Sequence, residues 1–201
     1  MPHLALLPNA LRAFRSRFPS ADLDVIDAVF PNVEASLLEG RVDFYVGPTP
    51  ARLPRGLQAE KLFDNTRIIL GRKGHPLANA RSLRELVDAE WITTSITHKA
   101  EEELGPLFAE HGLSPPRLAM RAHSSQTFLV SMAYTDLLMM LPVQWIQFPL
   151  WRDVLQQIMV KEGLPAPMIC IVRRAGFPLT PAAEYFVDMV RRASAHMDTL
   201  A

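Results

Sequence analysis

Leu37-Leu38-Glu39-Gly40-Arg41-Val42-Asp43-Phe44-Tyr45-Val46-Gly47 is the stretch whose reading decides the fold of this chain. It ends a helix at a glycine and returns at once as a strand, Val42 to Val46. The helix opens at Asn32, carries Val33, Leu37 and Leu38 on one side, and stops at Gly40, where a left-handed residue costs little. Upstream, Leu23 and Val25 alternate with Asp22 and Asp24 before Ile26, Ala28 and Val29, which predicts a strand. Strand, short helix and strand within so few residues imply a parallel, right-handed crossover. A longer helix precedes them. Leu7, Leu11, Phe14 and Phe18 recur at i, i+4, i+7 and i+11, with Arg12, Arg15 and Arg17 off the stripe and Pro19 as the stop.

The same alternation continues to the end of the chain. Strands are expected at Leu57 to Phe63, Thr66 to Leu70, Trp91 to Ser95, Arg117 to Arg121, Leu137 to Leu141, Ile158 to Lys161 and Met168 to Arg173. Between them, Ser82-Leu83-Arg84-Glu85 reads as a capping box. A helix from about Ala100 buries Leu104, Leu107 and Phe108 and stops at Gly112. Ser124 caps a helix carrying Phe128, Leu129, Met132 and Ala133. Gln144 to Leu155 is expected to be helical, interrupted at Pro149, and the last helix follows Pro181. Strands alternating with helices throughout give an α/β class.

Composition bounds the function. The 201 residues are 49% hydrophobic, enough for one large or two small cores, and no run approaches a membrane span. The 21 basic and 21 acidic residues cancel. Duplex binding needs a concentrated basic face, and Gly71-Arg72-Lys73-Gly74 and Arg191-Arg192 are too short to make one. No helix-turn-helix can be fitted, so the chain by itself is not expected to bind an operator. No secretory signal is visible, and the single Cys170 sits in an apolar strand, which favours an inert buried thiol in the cytoplasm.

Six phrases then carry a resemblance: Leu6-Leu7-Pro8, Phe14 with Phe18-Pro19, Glu39-Gly40-Arg41-Val42-Asp43, His75-Pro76-Leu77-Ala78, Trp91-Ile92 and Leu141-Pro142. In this order and spacing the chain resembles the effector-binding domain of LysR-type transcriptional regulators. The resemblance implies two Rossmann-like subdomains joined by two crossing strands, a type 2 periplasmic-binding-protein-like fold. Subdomain I would be 1–70 plus 163–201, and subdomain II 71–162. It implies a small-molecule effector in the cleft between them, a homodimer formed side by side with the Leu7 to Phe18 helix as a contact, and a tetramer for the full-length protein. DNA would be bound only through an N-terminal winged helix-turn-helix, which this chain lacks along with the strand that precedes the Leu-Leu-Pro helix in the family. The expectation is therefore the sensing part of a longer protein. Ala133-Tyr134-Thr135-Asp136 also departs from the glycine-rich turn of many members.

Candidate effector contacts follow from sheet logic, since ligands collect beyond the carboxyl ends of parallel strands where helix N-termini offer N–H groups. These are His3 in the lead-in, where Met1 takes the place of the family's hydroxyl residue, then Thr94, Ser95 and Thr97, then Ser124, Ser125 and Gln126, and then Pro142 with Val143 and Gln144. Phe30, Met139 and Met140 would supply apolar lining. Thr97 and Ser124 have a second reading as helix caps. Glu101, Glu102 and Glu103 weaken the case for an anion beside Thr97. The hydroxyls lean toward a small organic acid, aromatic ones included.

Enzymatic motifs are absent: there is no nucleophile elbow, phosphate loop or zinc helix, and the histidines His3, His75, His98, His111, His123 and His196 have no metal spacing. No catalytic residue, metal or cofactor is expected. His75 and Asp43 read as structural. Two alternatives share the bilobed fold, a solute-binding protein for transport and an enzyme. The first needs an export signal and the second a converging catalytic set.

Overall fold

A computed structural model describes residues 3–50, 52–94, 101–147 and 149–195. The chain divides into two compact units, Met1–Asn65 with Pro167–Ala201, and Thr66–Ala166. Each is an α/β unit with helices against a sheet.

In the first unit, helix α1 (His3–Arg17) and helix α2 (Phe30–Glu39) precede strand β1 (Phe44–Pro48) and strand β2 (Leu57–Phe63). Strand β8 (Ile169–Arg174) and helix α6 (Pro181–Ser194) return from the far end of the chain. The sheet order is β1-β8-β2, with β8 antiparallel to both neighbours. Successive side chains of β8 face opposite ways and so divide the core in two. Ile169 and Ile171 pack with Leu6, Ala10 and Phe14 of α1 and with Phe186, Val187 and Val190 of α6. Cys170 and Val172 pack on the other face with Phe30, Val33 and Leu37 of α2.

Local signals account for the ends of these helices. Gly40 takes φ 75° and its N–H bonds back to Leu37 O, a conformation that a side chain would strain. Thr180 caps α6 by accepting from Ala183 N, with Pro181 in the first turn. Arg191 of α6 clasps Glu60 of β2 with two bonds of 2.7 and 2.8 Å, tying the helix to the sheet.

Three expectations are corrected in this unit. Residues 21–29 carry no strand, and β1 pairs antiparallel with β8 rather than in a parallel crossover. A strand is defined by its ladder, and the composition of Leu23 to Val29 supplies no partner. Helix α1 also begins at His3, ahead of Leu7, with Pro8 inside it. Its most deeply buried line is Leu6, Ala10 and Phe14, while Leu7, Leu11 and Phe18 flank it half-buried.

The second unit contains strand β3 (Arg67–Arg72), a 3-10 turn (Leu83–Leu86), strand β4 (Glu90–Thr93), helix α3 (Glu101–Glu110), strand β5 (Arg117–Arg121), helix α4 (Ser125–Tyr134), strand β6 (Met139–Pro142), helix α5 (Gln144–Gln147) and strand β7 (Leu155–Ile158). Both edges of β3 are taken, antiparallel, by β6 and β7. This is why β3 goes with the second unit and the boundary falls at 65/66, before the sequence-based division at 70. Ile69, Trp91, Leu138, Met140 and Ile158 share a core with Leu83, Leu86, Leu104, Leu107 and Phe108.

The long helix expected over Gln144 to Leu155 is only α5, because Leu155–Ile158 joins the ladder of β3 as β7. The strand expected from Ile158 accordingly ends there. The capping box closes in half: Glu85 accepts from Arg81 N and from Ser82 Oγ, while the Ser82 side chain makes no cap bond. His75 accepts from Leu77 N through Nδ1, which leaves Nε2–H to donate to Asp136 O at 3.0 Å. Its structural reading stands on those two bonds.

Two stability outcomes follow. Phe14→Ala, which empties a packed site against Phe186, should cost about 3–5 kcal/mol in urea unfolding. Trp91→Phe should cost less than about 1.5 kcal/mol, since it also removes a buried Nε1–H that has no partner. The hydrogen bond from Arg191 holds the Glu60 carboxyl below its ordinary value of 4.5. The carboxylate therefore supports the fold above about pH 4.5, and the support fades as pH falls through the lower folded value. Glu60→Gln should flatten the acid side of a melting temperature against pH profile and leave its neutral-to-basic shape unchanged.

Candidate functional site

The second unit brings three parallel chain segments side by side. Strand β4 pairs parallel with β5. On its other edge Trp91 bridges Leu138 in parallel, with Ile92 N to Leu138 O and Leu138 N to Glu90 O both at 2.9 Å. The pairing of β4 and β5 runs one step further, through Ala122 N to Thr93 O at 3.0 Å. Thr93 and Thr94, Ala122 to Ser124, and Pro142 to Gln144 therefore emerge at one edge, the carboxyl edge. In open sheets this is where ligands bind.

Helix α4 starts at that edge. Ser124 is extended, at φ −131° and ψ 149°, and its Oγ accepts from Thr127 N at 3.2 Å while lying 2.7 Å from Thr127 Oγ1. The cap reading of Ser124 is thus a fact, and one hydroxyl lone pair is committed to it. Ser125 is buried and itself engaged, whereas Gln126 is exposed. The first turn of α4 holds no acidic residue, so its positive dipole end is not neutralised locally. Helix α3 differs, since it opens with Glu101-Glu102-Glu103. Of the two helix starts proposed from sequence, α4 is electrostatically the better place for an anion.

Thr93 is buried, and its Oγ1 donates to Thr94 O at 3.3 Å. Thr94 is half-buried beside it. Ser95 and Thr97 lie outside the described residues. At the third segment, Pro142 ends β6 and Val143 N bonds to Thr66 O at 2.9 Å. Gln144 and Trp145 follow in α5. The ring of Trp145 meets Phe128 of α4 edge-on, at 5.4 Å and 72°. The Gln144 Oε1 and Trp145 Nε1 atoms are both buried without a hydrogen-bond partner. Unpaired buried polar atoms are uncommon and call for a donor or acceptor from elsewhere.

Sequence reasoning missed Arg67. It stands opposite Pro142 in the β3–β6 register, and its side chain is only 7% exposed. The guanidinium donates to both carboxylate oxygens of Glu103 at 3.3 and 3.2 Å, and to the carbonyls of Met140 and Pro165 at 3.0 and 3.3 Å. Both terminal nitrogens of this cation are engaged, four of its five N–H donors in all, and the pair ties α3 to the sheet. No signal in the local sequence pairs residues so far apart.

The candidates of the first unit sit differently. His3 opens α1, and its side chain lies outside the described residues. Phe30 opens α2 but is 1% exposed. It packs edge-on against Tyr45 at 5.7 Å. Its burial is core packing, as is that of Met139 and Met140. Burial also raises the Tyr45 phenol and the Cys170 thiol above their ordinary values, so neither ionises near neutral pH. Among the described residues no cluster of His, Cys, Asp and Glu can hold a metal ion, and no helix is long and apolar enough to cross a membrane.

Comparison with known proteins agrees with this architecture. The effector-binding domain of QuiR in complex with shikimate superposes with a TM-score of 0.72 at 14% identity, over 94% of this chain and 90% of that one. The BenM effector-binding domain with its effector benzoate gives 0.71 at 18% identity, over 96% and 87%. The HTH-type transcriptional regulator GalR of Pseudomonas putida is 23% identical over 189 residues, 93% of this chain but 48% of that protein. The chain thus spans about half the length of that curated relative. Its fold is the type 2 periplasmic-binding-protein-like one. The LysR substrate binding domain model matches residues 2–195, and with nearly the whole chain covered, this protein belongs to the LysR substrate-binding domain family.

Proposed function

We propose that this chain is the ligand-sensing part of a LysR-type transcriptional regulator, that its effector is a small organic acid, aromatic ones included, and that the acid is bound and not turned over. The observation that carries the reading is the carboxyl edge of the second unit. There the acid-free N-terminus of α4 offers N–H groups to a carboxylate. The orphaned Gln144 Oε1 offers an acceptor to a ligand hydroxyl or other donor. Ser124, Ser125 and Thr94 border the same edge, and Ser95, Thr97, Gln126 and Pro142 remain in the proposed contact set. Shikimate and benzoate, the ligands of two structural neighbours, are of the same chemical class.

The acid would act by binding one conformation better than another. A few kcal/mol of differential affinity is sufficient to invert such an equilibrium. The shift would reach a promoter through homodimer geometry, with α1 as a contact, and through a DNA-binding domain elsewhere in the full-length protein, which would work as a tetramer in the cytoplasm.

A thermal-shift screen of small organic acids tests the site. A binding acid should raise the melting temperature by several degrees, and Ser125→Ala or Gln144→Leu should reduce that rise at least about tenfold in effective affinity. Ser124→Ala should lower the unliganded stability by about 1 kcal/mol through loss of the cap. Ser95→Ala and Thr97→Ala run in parallel. Ligand-induced shifts unchanged in Ser125→Ala, Gln144→Leu, Ser95→Ala and Thr97→Ala alike would remove this edge from the site, and turnover of the binding acid would overturn the non-enzyme reading.

A further inference from the structure

The second unit contains a cavity of about 600 Å³ bordered by Ser82, Arg84, His111, Leu113, Lys161 and Glu162. Ser82 and Arg84 precede β4, and His111 and Leu113 follow α3 and precede β5. The chain reaches these residues before it enters the two parallel strands. The cavity therefore lies toward their amino ends, opposite the carboxyl edge described above.

Basic side chains converge on it from three separate elements. Arg84 comes from the 3-10 turn, His111 from the end of α3 and Lys161 from the segment after β7. Among the described residues none of the three makes a side-chain hydrogen bond or an ion pair, whereas Arg67, Arg72 and Arg117 of the same unit each meet a carboxylate. Unpaired like charges repel, and an arriving anion relieves that repulsion. Glu162 is the acid of the lining, and its Oε2 already accepts from Leu83 N at 3.1 Å. The C-terminus of α3 would oppose an anion through its last carbonyls. Those are taken: Phe108 O accepts from His111 N and Leu113 N, and Ala109 O from Gly112 N, around Gly112 at φ 67°.

The frame is fixed before any ligand arrives. Lys161 N bonds to Arg81 O at 3.0 Å, beside the tie from Leu83 to Glu162, and Leu113 packs on the apolar core beneath. The donors and acceptors then define the ligand. Arg84 offers a planar fork that suits a phosphoryl group, and Lys161 a point charge. Ser82 Oγ gives its proton to Glu85 Oε1 at 2.9 Å, so what it has left is acceptor capacity, and Glu162 is an acceptor too. Acceptors beside cations call for hydroxyl donors on the same molecule. A bare oxyanion would satisfy the cations alone and leave most of a ligand-sized volume empty.

We propose that this cavity binds a small phosphate monoester that carries hydroxyl groups, a sugar phosphate in chemical class. The phosphoryl group lies between Arg84 and Lys161 with His111 as a further donor, and ligand hydroxyls donate to Ser82 Oγ and Glu162. It is a second ligand site, separate from the effector edge.

The test is isothermal titration calorimetry of the full chain with D-glucose 6-phosphate at fixed ionic strength, with glucose, inorganic phosphate and sulfate as comparisons. Saturable binding of one glucose 6-phosphate per chain is expected, with phosphate and sulfate at least about tenfold weaker and no heat from glucose. Arg84→Gln and Lys161→Gln, both at exposed positions, should each weaken binding at least about tenfold with unchanged urea unfolding. Ser82→Ala should narrow the gap between glucose 6-phosphate and inorganic phosphate. Absence of saturable binding would overturn the proposal. So would equal affinity for inorganic phosphate or sulfate, the mark of an unselective anion patch, or an affinity unchanged in both glutamine variants, which would put the ligand elsewhere.

Discussion

Strand β8 is the constraint on which the first unit rests. It arrives from the far end of the chain, takes both β1 and β2 as antiparallel partners, and divides the apolar interior into two cores by the alternation of its own side chains. With four of its residues buried on two faces, it must be apolar throughout, and Ile169-Cys170-Ile171-Val172 is. Helix α6 follows it and packs on α1, so the two ends of the chain close one unit. Without β8 neither β1 nor β2 has a ladder, and α2 has no surface to cover.

The second unit obeys the same constraint through β3. Its central run Ile68-Ile69-Leu70 is buried between β6 and β7. Fixing β6 on β3 also fixes the segment beside β4, and that is what lines up the carboxyl ends of three parallel segments. The candidate site is thus a consequence of sheet order. The hydroxyls and the α4 N-terminus meet at one edge because Trp91 lies against Leu138, and the Arg67–Glu103 pair, almost withdrawn from water, locks α3 to the same end. Desolvation makes that pair a matter of geometry more than of net stability, since two buried charges repay their loss of water only when the geometry is good and the remaining groups are bonded. Four of the five guanidinium N–H groups are bonded, two to Glu103 and two to the carbonyls of Met140 and Pro165.

Much of the local structure was legible because its causes are local. Gly40 ends α2 through its own backbone freedom, Ser124 caps α4 three residues from its partner, and the six family phrases stood in order. The failures have a common cause in partners distant in sequence. Leu23 to Val29 has strand composition, yet a strand exists only where another chain segment offers a ladder. Gln144 to Leu155 has helical spacing, yet Leu155 gains more from β3 than from one further helical turn. Phe30 looked like pocket lining because an aromatic at a helix start is compatible with either role, and only Tyr45 across the gap makes it core. Arg67 and the orphaned Gln144 Oε1 were invisible for the same reason.

The sequence by itself determined the α/β class, the family and the chemistry available, because periodicity, caps and turn residues act over a few positions and are written in order. The tertiary structure decided which hydroxyls share an edge, which of the two helix starts lies there without an acidic residue in its first turn, and which carboxylate neutralises Arg67. Those depend on which segments pair across 27 to 129 residues, and pairing is settled by burial and hydrogen bonding of the whole sheet rather than by any stretch of it.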